Sequence, residues 1–365
     1  MSRKIKVMIV DDSMVIRRIL AETLAEDPAI EIAGKAANGK IALNKIDSID
    51  PDIVTLDMEM PEMDGLETLT ELRKRFPKLP IIMFSTLTQQ GAEATLEALH
   101  RGANDYVTKP ANVGSVTAAM ESVRNELVPK IKAFCSHLRP IVPAVSPPAT
   151  PKAVAASEPK TSSRVDICAI GVSTGGPNAL NTVLPALPAD FPVPIVLVQH
   201  MPPIFTKHLA DRLNANSAIE VREAEDGDVI EPGLALIAPG DFHMTLRRDG
   251  TAVRVKLDQN PPENSCRPAV DPLFRSVADM YADNALVTVL TGMGRDGELG
   301  CQPVRQRGGH IIAQDEATSV VWGMPGAVTR AGLADQVLPL DRIADELIIR
   351  AKAGTQKRIL QGAGR

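Results

Sequence analysis

Five residues in the first third of the chain have the types needed to take up a phosphoryl group: Asp11, Asp12, Asp57, Ser85 and Lys109. Three carboxylates packed together repel one another unless a cation offsets them. Oxygen ligands suit Mg²⁺, which keeps several waters and takes only a few protein ligands. Such a metal would also bind the oxygens of a phosphoryl group transferred to Asp57, while Lys109 and the Ser85 hydroxyl take the remaining oxygens. Any one of these residues alone reads as a solvated cap or loop residue. The set of five points to chemistry.

A second constellation lies further along. Gly171-Val172-Ser173-Thr174-Gly175-Gly176-Pro177 has the form G-x-S-x-G, with a proline placed for a first helical turn. A turn of this form projects its serine from a sheet edge. Backbone N–H groups at the helix start, Thr174's among them, can support a developing oxyanion. The rivals are a structural tight turn and a Gly-rich phosphate cradle, although the stretch has neither GxxxxGK[ST] nor GxGxxG. Ser173 needs a base. His100 and His208 lie within helical patterns, His137 adjoins a linker, His243 begins a ribbon strand and His310 begins a buried strand. His200 instead ends an apolar strand and precedes Met201-Pro202-Pro203. Asp296, in the loop Thr291-Gly292-Met293-Gly294-Arg295-Asp296-Gly297, can orient its ring and stabilise its charged form. Alone, Asp296 would read as a turn residue, so its role depends on the other two.

The elements that must position these groups alternate. Lys4–Val10, Ile30–Ala36, Ile53–Leu56, Ile81–Phe84 and Tyr106–Val107 read as strands. Met14–Glu26, Lys40–Ile49, Gly65–Arg75, Ala92–Arg101 and Val113–Phe134 read as helices between and after them. This predicts an α/β fold, a doubly wound five-stranded parallel sheet, with the acidic group, Ser85 and Lys109 gathered at its carboxyl edge. Between Pro140 and Lys160 the sequence is rich in Pro, Ala and Ser and has no apolar period, which marks a linker over 135–163. Beyond it the strands Val165–Ile170 and Ile195–Gln199 alternate with helices from Pro177 and over Phe205–Asn216. Leu234–Ile237, Met244–Arg247 and Val253–Leu257 break the pattern, and Asp249-Gly250 predicts an antiparallel ribbon. Parallel order returns with Ala285–Leu290, a helix over Leu299–Arg307, His310–Ala313 and a last helix, Asp341–Lys352, before a mobile tail over 353–365. The expected domains are therefore 1–134 and 164–352.

Composition narrows the partners. The 365 residues allow two separate cores. With 3% aromatic residues, those cores must be built from Ile, Val, Leu, Ala and Met. A net charge of −5 argues against nucleic-acid binding through bulk basicity. No apolar run is long enough to span a bilayer, so no membrane insertion is expected. Cys135, Cys168, Cys266 and Cys301 form no CxxC, and a reduced, cytoplasmic compartment is the simplest reading.

The motifs V-D-D-S, L-D-M-E-M-P-x-M-D-G, F-S-T and D-Y-V-T-K-P closely resemble the receiver domain of bacterial response regulators, over residues 4–126. The resemblance implies that Asp57 is the phosphoacceptor and that Asp11, Asp12, Asp57 and the Glu59 backbone carbonyl serve the metal. It also implies that Tyr106 is the aromatic residue that switches orientation with Ser85. G-V-S-T-G-G-P, V-Q-H-M-P, C-R-P-A-V-D and T-G-M-G-x-D-G resemble the catalytic domain of the chemotaxis protein-glutamate methylesterases, from Val165 to Arg350. This second resemblance implies a Ser173–His200–Asp296 triad, with a backbone contribution from Met293 near the oxyanion. It further implies hydrolysis of glutamate methyl esters on chemoreceptor cytoplasmic domains, deamidation of certain receptor glutamines, and a chemotaxis histidine kinase as phosphodonor. Val172 stands where the family often has Ala. The esterase chemistry needs no metal, so Mg²⁺ belongs to the phosphorylation pocket. A catalytically silent output domain, or an esterase acting on another signalling protein, are the alternative readings.

Overall fold

The computed structural model describes residues 3–109, 116–136 and 164–362, and the chain divides into two units, Met1–Arg139 and Pro140–Arg365. The region 137–163, which contains most of the expected linker and His137, lies outside the described residues.

In the first unit five strands form one parallel sheet in the order β2-β1-β3-β4-β5: β1 (Ile5–Val10), β2 (Ile30–Ala36), β3 (Ile53–Asp57), β4 (Ile81–Ser85) and β5 (Asp105–Thr108). The helices are α1 (Met14–Ala25), α2 (Gly39–Ile49), α3 (Gly65–Arg75), α4 (Gln89–His100) and α5 (Val116–Phe134). β3 and β4 are buried throughout, which is why both read as unbroken runs rather than as alternating patterns. One core packs Ile5, Val7, Ile9, Ile53, Ile82 and Phe84 of the sheet against Leu20 and Leu24 of α1 and Leu127 and Ile131 of α5. Each such side chain contributes about 1.5–3 kcal/mol on burial. Chain direction reverses between β1 and β3, and in sheets of this order ligands bind at the carboxyl ends beside that reversal.

The second unit carries a seven-stranded parallel sheet, β14-β13-β12-β6-β7-β9-β8. Its strands are β6 (Ile167–Val172), β7 (Ile195–Gln199), β8 (Glu220–Glu223), β9 (Leu234–Ile237), β12 (Ala285–Val289), β13 (His310–Gln314) and β14 (Gln336–Leu338). Its helices are α6 (Gly176–Val183), α7 (Phe205–Asn216), α8 (Val270–Tyr281), α9 (Glu298–Gln306), α10 (Met324–Arg330) and α11 (Leu340–Gly362). β10 (His243–Asp249) and β11 (Ala252–Asp258) make the antiparallel ribbon, with Asp249 opposite Ala252 across the turn at Gly250.

Three expectations are corrected. Leu234–Ile237 does not belong with the ribbon; it pairs in parallel with β7 and β8. β8, α8, α10 and β14 are additional elements. The last helix continues beyond Lys352 to Gly362, so most of the expected tail is helical. Gln, Lys, Arg and Leu there are good helix formers, and no proline stops the helix. Among the described residues no helix is long and apolar enough to cross a membrane.

Candidate functional site

In the first unit the strand ends bring the acidic group together. Val10 is paired with Leu56, and Asp57 with Phe84, so Asp11 and Asp57 leave neighbouring strands at one level. Arg17 holds the turn after β1 by donating to the Asp11 and Asp12 carbonyls at 2.6 and 2.8 Å. Asp11 and Asp57 are buried and Asp12 is exposed, and each offers an oxygen within 4.8 Å of the others. Lys109, delivered by β5, approaches Asp57 Oδ1 at 2.7 Å and Asp11 Oδ2 at 3.6 Å. Asp57 Oδ1 also accepts the Glu59 N–H at 3.3 Å.

Burial and the Asp57 charge push the Asp11 carboxyl up to about 6. Burial also raises Asp57, although Lys109 opposes it. Asp11 Oδ2 and Asp57 Oδ2 are buried without a hydrogen-bond partner. Two orphaned carboxylate oxygens beside a third carboxylate are a donor set that a hard divalent cation fits. Ser85 ends β4 as expected, but its hydroxyl is held by α4, donating to the Gly91 carbonyl at 3.1 Å and meeting Thr95 Oγ1 at 2.6 Å. The Tyr106 ring is buried, with the Lys130 ammonium 5.4 Å from its centroid.

In the second unit Ser173, His200 and the loop 291–297 follow β6, β7 and β12, three adjacent strands of the sheet. Ser173 Oγ lies 3.1 Å from His200 Nδ1, and His200 Nε2 lies 2.7 Å from Asp296 Oδ2. The nitrogens are exchanged relative to the chymotrypsin arrangement, in which Nε2 serves the serine. A proton on Nε2 directed at Asp296 leaves the Nδ1 lone pair facing the hydroxyl, so the base function is the same.

Several residues fix this geometry. Gln199 donates from Nε2 to the carbonyls of Ser173 and His200 at 3.0 and 3.1 Å. The Ser173 N–H donates to the Thr291 carbonyl, and Thr291 Oγ1 donates to the Thr174 carbonyl. A Cβ on Gly292 would sit 2.8 Å from Ser173 Cβ and 2.3 Å from Met324 Sδ, so only glycine lets this loop approach the serine. The Gly292 carbonyl in turn accepts the N–H groups of Gly323 and Met324 at 3.0 and 2.8 Å, which ties the Met293 turn to the start of α10.

Burial acts to lower the His200 imidazole, but the Asp296 carboxylate and the Cys266 sulfur, 3.5 Å from Nδ1, outweigh it. The ring is held above its ordinary value of 6.5. Burial likewise acts to raise Asp296, and His200 with the N–H groups of Val270 and Asp271 overcomes it, leaving the carboxyl lowered. The structure thus brings together Ser173, His200 and Asp296. His243 is engaged elsewhere, accepting the Ala269 N–H and meeting the Pro261 carbonyl. Sequence reasoning missed Gln199, Asn264, Cys266, Asp271 and Thr291. Cys266 and Asp271 stand within C-R-P-A-V-D and Gln199 within V-Q-H-M-P, but nothing in those strings states what they touch.

A profile of the response regulator receiver domain matches residues 7–121, and one of the CheB methylesterase domain matches residues 168–347. A Trichodesmium erythraeum protein-glutamate methylesterase/protein-glutamine glutaminase is 53% identical over 95% of this chain and 99% of its own length. A Nocardioides protein of the same name is 50% identical over 95% of each. The crystal structure of the Thermotoga maritima CheB methylesterase catalytic domain matches with a TM-score of 0.50 and 47% identity, covering 51% of this chain and 98% of that domain. Matched from end to end by such relatives, with a receiver ahead of the catalytic domain, the chain belongs to the CheB methylesterase family of protein-glutamate methylesterases/protein-glutamine glutaminases.

Proposed function

We propose that this chain is a phosphorylation-regulated serine hydrolase for chemotactic adaptation, acting in the cytoplasm on chemoreceptor cytoplasmic domains. It removes methyl groups from glutamate esters and deamidates specific receptor glutamines. The observation that carries the catalytic reading is the hydrogen-bonded row Ser173–His200–Asp296 at the carboxyl ends of three adjacent strands.

In this reading His200 Nδ1 takes the Ser173 proton as Oγ attacks the ester carbonyl, and Asp296 stabilises the resulting imidazolium. The imidazolium gives the proton to the departing methoxide, releasing methanol and leaving a glutamyl-enzyme. Water then attacks, His200 takes its proton, and collapse frees the glutamate carboxylate and restores Ser173. With a glutamine, ammonia leaves in the first half. The N–H groups of Thr174 and Met293 are the donors assigned to the oxyanion; neither is engaged in a hydrogen bond among the described residues.

Asp57 is the phosphoacceptor, with a chemotaxis histidine kinase as donor. Asp11, Asp12, Asp57 and the Glu59 carbonyl would hold Mg²⁺, which neutralises phosphoryl charge when bound. Lys109 takes a phosphoryl oxygen, and Ser85 exchanges its α4 partners for another, followed by reorientation of Tyr106.

The test is methanol release from methylated receptor fragments, followed across pH. Because the His200 pKa is raised, the neutral base becomes available only as pH climbs, so kcat/KM rises along a limb above pH 6.5. Asp296→Asn removes the partner that raises it, so the limb moves to lower pH while the plateau drops about 10⁴-fold. An absence of methanol at every pH would refute the substrate assignment, and a limb unmoved by Asp296→Asn would refute the role given to Asp296.

A further inference from the structure

Behind the triad lies a second buried carboxylate, Asp271, in the first turn of α8. Neither α8 nor α9 is capped by a side chain of its own N-cap residue, which is Ala269 in one and Gly297 in the other. The two helices cap each other instead. Asp296, just before α9, accepts the Val270 N–H on Oδ2 at 2.7 Å and the Asp271 N–H on Oδ1 at 3.0 Å, both at the start of α8. Asp271 Oδ1 accepts the Gly297 and Gly300 N–H groups of α9 at 2.9 and 2.6 Å. Asn264 Nδ2 bridges the pair, donating to Asp271 Oδ2 and Asp296 Oδ1 at 2.9 Å each. Asn264 has φ 52, a left-handed conformation that asparagine tolerates better than most residues.

Two carboxylates this close and this deeply buried repel, and two helix N-termini converging on them offset that repulsion. The Asp296 oxygens are thereby filled on every side except the one facing His200.

We propose that Asp271 and Asn264 are positioning residues of the esterase, a reciprocal cap that holds Asp296 in line with His200 Nε2. This rests on the triad reading of Ser173, His200 and Asp296. Burial and the Asp296 charge push Asp271 up to about 6, so of the two acids Asp271 takes a proton first and Asp296 keeps its charge for the histidine. The other titratable and charged groups around the pair are Cys266 beside His200, His243 against the Ala269 N–H, and Arg295, Glu298 and Cys301 of the α9 segment.

The experiment compares full-length wild type with Asp271→Ala and Asn264→Gly, the latter removing the amide while accepting the positive φ. Each preparation is titrated for reactive Ser173 with a fluorophosphonate, so that turnover is expressed per competent site. Both variants are expected to lose at least about tenfold in kcat with KM changed less than twofold, and to shift the rising limb of kcat/KM to lower pH. Asp271→Asn, which keeps an acceptor for both glycine N–H groups, recovers most of the loss. An unmoved pH limb, a kcat that is normal per titrated site, or an Asp271→Asn protein as impaired as Asp271→Ala would overturn the proposal. Ser173→Ala separates the two levels. If it is inactive while Asp271→Ala is normal, only the cap is wrong; if it retains turnover, the triad reading fails.

Discussion

Replacing Ser173 by alanine is expected to lower methanol release roughly 10⁴- to 10⁶-fold, and His200→Ala by a similar factor. The double variant should lose little more than either single one, because the hydroxyl and the imidazole act as one unit. Once Oγ is gone, the proton that Nδ1 accepts at 3.1 Å no longer exists. Ser173→Ala removes one oxygen from a half-buried side chain, so the melting temperature should stay near that of wild type. Steady-state methanol assays with unfolding curves on the three variants check this. Losses that multiply would show that serine and histidine work independently.

Asp57→Asn is expected to abolish phosphate incorporation altogether. The carboxylate sits 2.7 Å from Lys109 and shares a 4.8 Å cluster with Asp11 and Asp12, a setting suited to neutralising a phosphoryl group in the presence of Mg²⁺. Wild type treated with a small phosphodonor and Mg²⁺ should acquire an acid-stable, hydroxylamine-sensitive label that chelation prevents. Undiminished labelling of Asp57→Asn would assign the acceptor elsewhere. If the receiver restrains the esterase, phosphorylation should raise methanol release by wild type but not by Asp57→Asn. A fragment beginning at Ser162 should then match or exceed the phosphorylated protein. A fragment no more active than the unphosphorylated whole would mean that the receiver acts by positive contact or by recruitment.

The parts of this architecture that the sequence displays are those with a local cause. Strands buried on both faces, such as Ile53–Asp57 and Ile195–Gln199, appear as uninterrupted apolar runs, and the residue after each run falls at the carboxyl edge. That is why Asp57 and His200 could be placed before any coordinates. Elements at the rim of the second sheet were invisible for the converse reason. β8 is Glu-Val-Arg-Glu and β14 is three residues long, so neither has an apolar signature. α8 has buried residues at 270, 273, 274, 277 and 278, a helical period, yet Pro272 in its first turn disguises it as a loop although proline is tolerated there.

At the site, Ser173, His200 and Asp296 each announce themselves by what surrounds them in the chain. Asn264 does not. Its amide reaches Asp296 from 32 residues away in sequence, and a hydrogen bond of that kind leaves no period or spacing to read. Which imidazole nitrogen faces the serine depends on side-chain rotation and is likewise absent from the sequence.

The central claim is that Ser173 is the nucleophile. It is tested most directly by treating the full-length protein with a fluorophosphonate and locating the adduct by peptide mass spectrometry while methanol release is followed in parallel. The predicted result is a single adduct on the peptide carrying Ser173, formed in step with the loss of activity, slowed in His200→Ala and missing in Ser173→Ala. Methanol release that persists with Ser173 fully modified, or inactivation with the adduct on another residue, would contradict it.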